Sequence, residues 1–429
     1  FSEAGNYYNY FPLTVISGVD SNPIDVTVSN DKVSLLRHAV PFSETLLFFS
    51  ELQQFKLSSQ AVLSPSTVSI DVTTQFETDA RAKPVSVGRY VFFAFQRGEF
   101  SGVREYFVDN RKEVNDAVEI TSHVPQYIPG KITNLVSSSN ESILVCQSST
   151  EPQNLYVYKY YWQAEDKIQS SWSVWKFGDD ILNCAFIGST LQVLMDRSDG
   201  TYLENINLST DSSVDIMQDE TSVLLDRRVK LAQVVLPLST TVNTDATVTV
   251  SSTANLRVGM SVTGTGIPTS ATISSITSGT IFELSAAATA SGSANVTLTF
   301  NDVLATHVPY YSSLPSDTVF VNQNAQKIAQ ADVDTQIAAG DTIYVGIPYN
   351  FKYEFTRFQY KQNEIAVQAA KLQLRNINVL YSNTGFFKLN VEVAPYTINI
   401  PDPDTPGSTI ESTPRKAYEK TFSGFITNS

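Results

Sequence analysis

The stretch Leu155–Phe177, LYVYKYYWQAEDKIQSSWSVWKF, constrains the fold more than any other part of the chain. Side chains alternate faces along a strand, so Tyr156, Tyr158 and Tyr160 fall on one face. A polar break at Ala164–Lys167 interrupts the run, and Trp172 and Val174 resume the alternation. Two such runs around a polar turn spell a long antiparallel hairpin, and a helix period fits neither half.

Comparable hydrophobic bursts start near Leu46, Tyr90, Ser142 and Thr190. Their spacing, roughly 45 to 50 residues, matches the length of a four-stranded propeller blade. The units are not closely alike in sequence, and an array of stacked β-sandwiches is the competing arrangement. Turn chemistry punctuates the bursts. Arg97-Gly98 separates two apolar runs, Asp199-Gly200 another pair, and Asn383-Thr384-Gly385 joins LQLRNINVLY to FFKLNVEV. Gly and Asn tolerate the positive φ of tight hairpins. The expected fold class is therefore all-β, with a propeller-like main body.

Composition changes abruptly near Ser239. From there to Phe300 the chain is rich in Thr, Ser, Ala, Val and Gly, and Arg257 is its one basic residue. Short β runs with Gly turns there predict a small inserted β-domain rather than a charged linker. The expected organisation is a propeller-like body over residues 1–238, the insert over 239–300, a return to the body over 301–355, and a C-terminal β-hairpin or sandwich region over 356–429. Asn322–Ala339 is the best helical candidate. Ala370–Val393 reads as another long hairpin, Pro401–Gly407 (PDPDTPG) as a rigid loop, and KTFSGFI near the end as an edge strand.

The chain has 429 residues, 42% of them hydrophobic and 17% charged, enough apolar material for packed interiors. It opens on Phe1 in mid-pattern, which suggests the ordered part of a longer polypeptide, truncated at its N-terminus. No apolar run reaches the about 18 residues of a membrane-spanning helix, so no stable membrane insertion is expected. Cys146 and Cys184 read as reduced, buried thiols. Acidic residues outnumber basic ones, 43 to 29, for a formal net charge of −14. Such a surface does not hold nucleic acid by phosphate contacts, although a like-charged wall lets a polyanion pass without sticking.

Candidate chemical sites are weak one by one. Gly264-Thr265-Gly266-Ile267-Pro268-Thr269 lacks the third glycine and the strand–helix context of a dinucleotide turn. Asp402 and Asp404 lie among prolines 401, 403 and 406, which break any calcium-loop pattern. Glu105 and Asp109 share a face of one expected strand, with Glu99 nearby, as paired carboxylates of propeller glycosidases can. Solvated strand faces look the same, and no accompanying motif is present. His38, His123 and His307 stand apart, outside any metalloprotease or hydrolase motif. Trp162, Trp172 and Trp175 fit hairpin packing better than a sugar-stacking platform. No catalytic, cofactor-binding or metal-binding residue is assigned, and channel-lining and interface residues stay open. Phe100 and Tyr127 are as compatible with an interface as with the core.

An ordered series of segments resembles a known family. It comprises Ser2–Pro12, Asn22–Leu57, Val87–Asp109, Ile120–Ile132, the Leu155–Phe177 hairpin, Leu224–Val229, Val345–Phe355 and Lys371–Val391. Together they resemble the tail nozzle proteins, or tail tubular protein B, of short-tailed, podovirus-type bacteriophages. The resemblance implies a non-enzymatic virion protein, assembled in the host cytoplasm. It further implies a homohexameric ring of propeller-containing subunits at the distal end of the tail. The partners implied are the tail adaptor protein, the tail fibre protein, and viral DNA as a conducted cargo during ejection. No cofactor is implied. The insert resembles small β-modules that decorate phage tail proteins, and an outward position would keep the channel clear. The alternatives are a propeller-type glycosidase or depolymerase acting on host surface polysaccharide, and a carbohydrate-binding module.

Overall fold

The computed structural model describes residues 1–11, 19–28, 35–43, 45–59, 63–109, 114–163, 166–208, 223, 225–241, 244–293, 296–324, 326–350, 352–353, 361–362, 365–366, 400–401 and 409–411. The chain divides into two units, residues 1–350 and 351–429. The protein is all-β, as its alternation patterns require. Helix among the described residues is confined to short pieces.

Four antiparallel meanders open the first unit. Sheet I holds β1 (His38–Phe42), β2 (Thr45–Phe49), β3 (Gln54–Ser59) and β4 (Val68–Thr74) in sequential order. Sheet II holds β5 (Val85–Val87), β6 (Tyr90–Arg97), β7 (Phe100–Asp109) and β8 (Val114–Glu119), and β9 (Ile128–Pro129) pairs with the start of β7. Sheet III holds β10 (Ile132–Ser138), β11 (Ile143–Ser148), β12 (Asn154–Gln163) and β13 (Asp166–Lys176). Sheet IV holds β14 (Asp180–Ile187), β15 (Thr190–Arg197) and β16 (Gly200–Asn207).

The four hydrophobic bursts of the sequence are β2, β6, β11 and β15, the second strand of each sheet. A second strand is paired on both edges; β6 and β11 are also covered on both faces and read as continuous apolar runs, whereas β2 and β15 keep a partly exposed face. In β11 every residue is buried. Consecutive sheets share cores that explain this pattern. Val40, Phe42, Leu47 and Phe49 of sheet I pack with Val91, Phe93 and Tyr106 of sheet II. Phe92 and Val103 pack with Leu144, Tyr156 and Tyr158 of sheet III. Val145, Leu155 and Val157 pack with Leu191, Val193 and Met195 of sheet IV. The first strands lie side by side, β5 touching both β1 and β10, and β10 touching β14.

The Leu155–Phe177 hairpin is β12–β13, with Tyr156 opposite Val174 and Tyr158 opposite Trp172. The expected tight turns at Gly98 and Gly200 close the β6–β7 and β15–β16 hairpins, with φ of 58° and 147°.

After β17 (Asp226–Leu231) the chain enters a seven-stranded body. Its strands are β18 (Gln233–Thr241), β19 (Thr247–Val250), β20 (Ser261–Thr263), β21 (Ile273–Ile276), β22 (Ile281–Leu284), β23 (Gly292–Ser293) and β24 (Thr297–Asn301). Their order is β20-β24-β18-β19-β22-β21, with β23 on β18. This body has its own core, in which Phe282 and Phe300 meet edge to face at 5.5 Å. The chain leaves through α1 (Leu304–His307), β25 (Val319–Asn322), α2 (Val333–Ala338) and β26 (Ile343–Ile347). There β17, β26 and β25 form a three-stranded sheet V, and Leu231, Leu304, Val333, Ile337 and Ile343 share its core.

The helix expected over Asn322–Ala339 contracts to α2 and the 3₁₀ turn Gln330–Asp332 before it. Asn322 Oδ1 accepts the amides of Asn324 and Gln326, both at 3.0 Å, and so diverts the backbone into a turn. In the second unit, β27 (Lys361–Gln362) pairs with β28 (Ile365–Ala366), and β29 (Ile400–Pro401) with β30 (Thr409–Glu411). The expected hairpin Ala370–Val393, Asn383–Gly385, Asp402, Asp404 and the terminal KTFSGFI strand lie outside the described residues.

Candidate functional site: charged seams between the stacked sheets

The first seam joins sheets II and III. Glu105 sits on β7 with its side chain 4% exposed, facing the aromatic side chains of β12. Its Oε2 accepts from Lys167 Nζ on β13, and its Oε1 has no hydrogen-bond partner. Lys167 Nζ also lies 4.9 Å from the Trp162 ring centroid and 5.8 Å from that of Tyr158. Burial pushes the Glu105 carboxyl above its usual range, and Lys167 opposes that shift. Tyr90 stacks on Trp162 at 5.4 Å and 8°. Trp172 donates its Nε1–H to Ile120 O at 3.0 Å, and its ring packs against Tyr127 and Tyr158. Glu105 is therefore a buried carboxylate held by Lys167 within an aromatic cage.

On the other face of sheet II, Arg104 is sandwiched between rings. Its guanidinium carbon lies 4.6 Å from the Phe76 centroid and 4.6 Å from that of Phe95. Arg97 closes a two-pronged bond to Glu119, with both contacts 2.8 Å.

A second seam joins sheet IV to sheet V. Arg197 at the end of β15 is buried and donates to Glu204 at 2.6 and 2.7 Å and to Asp179 at 2.8 Å. Asp199, in the following turn, accepts from Tyr202 at 2.8 Å and from Ser313 at 2.7 Å. Arg227 lies at a bulge in β17 and adopts φ 51°, a left-handed conformation that costs a non-glycine residue energy. Its guanidinium carbon stacks 4.1 Å from the Tyr310 centroid and 5.1 Å from that of Tyr202. Tyr310 returns its hydroxyl to Arg227 O at 2.7 Å. Burial raises the neighbouring Asp226 carboxyl, and Arg197 opposes that shift.

The remaining sequence candidates scatter over the fold. Glu99 is exposed in the turn after Gly98, and the side chain of Asp109 lies outside the described residues. His38 bonds Ala80 O at 2.8 Å, His123 is exposed in a turn, and His307 is the buried last residue of α1, its Nδ1 accepting the Val303 amide at 2.9 Å. Gly264–Thr269 is a turn, closed by Ile267 N–H to Gly264 O at 3.2 Å. Trp175 packs toward sheet IV, away from Trp162 and Trp172, so the three indoles form no common platform. Phe100 is half-buried, and Tyr127 packs edge to face on Tyr156. Cys146 and Cys184 are free and buried. Among the described residues, no group of three or more His, Cys, Asp or Glu side chains is arranged for a metal ion. None of the described helices is long and apolar enough to cross a membrane.

Sequence reasoning missed the seam partners. Lys167 lay in the stretch read as a turn, and Arg227 carried no signal of its conformation. Near the N-terminus, Tyr7, Tyr8, Tyr10 and Phe11 are exposed.

Comparison with known proteins gives this architecture a context. A family model described as bacteriophage nozzle protein matches residues 1–400. The chain is 30% identical over 399 residues to tail tubular protein gp12 of Escherichia phage T7, covering 91% of this chain. It spans 44% of the length of that relative. Among solved structures, Hsv2 of Kluyveromyces lactis aligns with 46% of this chain and 57% of its own, at 10% identity and a TM-score of 0.30, too low to bear on the fold.

Proposed function

The chain belongs to the bacteriophage nozzle protein family, and from that premise we propose that it is a wall segment of a hexameric tail nozzle. It is a structural component of the phage tail and not an enzyme. In this reading six copies surround the distal channel through which viral DNA leaves the particle. The ring docks the tail adaptor protein on one side and the tail fibre protein on its flank, after assembly in the host cytoplasm.

The observation that carries this reading is the run of four meander sheets, each sharing a core with the next, with one charged seam between sheets II and III and another tying sheet IV to sheet V. Stacked in this way, with their first strands adjacent, they suit one arc of a propeller wall. Interlocked sheets resist shear while a long polymer moves past. The net charge of −14 per chain repels a polyanion and keeps it from sticking. The seven-stranded body, with its separate core, suits a module inserted in the wall and placed outside the ring.

Native mass spectrometry and negative-stain imaging of the purified protein test the proposal. A six-fold ring is expected, with duplex DNA affinity too weak to measure at physiological salt. A monomer, a ring of another order, or tight DNA binding with a steep salt dependence would overturn it.

A further inference from the structure

The chain enters the seven-stranded body at Gln233 and leaves it at Asn301, residues paired directly across β18 and β24. A module rooted on two adjacent strands can pivot about that root unless further contacts stop it. Those contacts are present: one set centres on Asp302, and others reach α1 and α2.

Asp302 is 4% exposed and sits just beyond the exit strand. Its Oδ2 accepts the Ala232 amide at 2.9 Å, and its own amide donates to Ala232 O at 3.2 Å. The two crossing points are thus bonded to each other. The same Oδ2 accepts from Arg257 Nη2, which also donates to Lys230 O at 3.1 Å. Arg257 is the one basic residue between Ser239 and Phe300, and it stands at the root.

The loop carrying Arg257 lies directly on α1. His307 Nδ1 accepts the Val303 amide at 2.9 Å, which leaves Nε2 to donate to Val258 O at 3.2 Å. Next in the loop, Gly259 has φ 91°, and a Cβ there would lie 2.5 Å from Thr306 Cγ2. The left-handed φ favours glycine here, and its bare Cα lets the loop lie close to Thr306. A further tie runs to α2, where Gln233 Nε2 donates to Ala338 O at 3.1 Å and to Asn301 Oδ1 at 3.0 Å.

We infer that this root is a rigid joint with Asp302 at its centre, which holds the seven-stranded body as a fixed arm. The bonds that join Asp302, Ala232, Arg257 and Lys230, backed by contacts on α1 and α2, remove the pivot that two strands alone would leave. The arm then presents its far turns at a constant position, as a docking element needs if its partner is to bind without an ordering cost. The inference goes beyond the conduit reading and does not depend on it.

Paired spin labels test it, one on exposed Thr269 of the arm and one on exposed Thr335 of α2. Cys146 and Cys184 are buried and leave the labelling specific. The parent protein should give one narrow distance distribution. Asp302→Ala and, independently, Arg257→Met should lose that narrow peak while far-ultraviolet circular dichroism stays unchanged. If Asp302→Ala fails to fold, Arg257→Met decides, because it leaves the Ala232–Asp302 bonds in place. A broad distribution in the parent, or a narrow one that persists in Arg257→Met, would overturn the inference.

Discussion

Lys167 on β13 donates to the buried carboxylate of Glu105 on β7, a residue 62 positions earlier in the chain, and the pair joins sheet III to sheet II. Removing the lysine would leave a carboxylate in an aromatic cage with no counter-charge. Breaking a buried pair from one side costs about 3–5 kcal/mol, because the remaining charge stays desolvated. Lys167→Ala should therefore lower unfolding free energy by about 3 kcal/mol in urea titration. Glu105→Gln should cost less, since Lys167, with its side chain 18% exposed, can turn to solvent. Equal losses in the two variants would contradict this account.

The same pair sets a pH dependence. Burial raises the Glu105 carboxyl above its ordinary value of 4.5, so the folded protein holds this proton more tightly than the unfolded chain. A raised carboxyl contributes stability below the unfolded value, and that contribution is lost as pH rises through the folded value. Lys167 opposes the rise, so Lys167→Ala should enlarge the effect. The deficit of Lys167→Ala against the parent should shrink as pH falls from about 7 toward about 4.5. Urea midpoints of both proteins at several pH values check the sign, and a deficit that grows on acidification would refute it.

A third prediction concerns packing in sheet II. Gly102 on β7 lies opposite Phe95, and a Cβ at position 102 would overlap the Phe95 ring, with Thr121 Oγ1 3.0 Å away. That ring is itself held against Arg104. Gly102→Ala should destabilise the protein by about 1–3 kcal/mol through overpacking. Adding Phe95→Leu should restore part of the loss, a coupling that a double-mutant cycle reads directly.

The thiols give a chemical readout of burial. Burial pushes Cys184 up to about 12 and Cys146 well above its usual value. A thiolate is the reactive form, so neither should react with a disulfide reagent at about pH 8 in the native protein. Two thiols should titrate after denaturation, and a fast-reacting thiol in the native state would contradict the packing described.

Much of this fold was legible in the chain because its central strands bury at least one apolar face, and β6 and β11 bury both. The bursts at β2, β6, β11 and β15 follow from that burial, and the hairpin Leu155–Phe177 follows from its strict alternation. The helix read at Asn322–Ala339 is shortened to the C-terminal part of that span, because Asn322 diverts the backbone at its start. The seams were not legible. Glu105 looked like half of a solvated carboxylate pair, since nothing local marks a lysine 62 residues away as its partner. Lys167 was read into a turn because the polar run around it carries no alternation. Arg227 was opaque for another reason: its conformation is imposed by tertiary contacts, and arginine has no preference that would announce it.

Arg227 supplies the last prediction. It holds φ 51° at the β17 bulge while its guanidinium stacks on Tyr310. In most strands glycine is worse than alanine, because it gives up more backbone freedom on folding. Here the order should invert. Arg227→Ala loses the stack and keeps the left-handed strain, whereas Arg227→Gly loses the same stack and relieves the strain. A non-glycine residue in that region costs roughly 1–2 kcal/mol. Arg227→Gly should therefore be more stable than Arg227→Ala by about 1 kcal/mol, with both below the parent. Thermal and urea unfolding of the three proteins test the ranking. Alanine above glycine would mean that the bulge relaxes once the side chain is gone, and that the stack on Tyr310 holds the backbone in its unusual conformation.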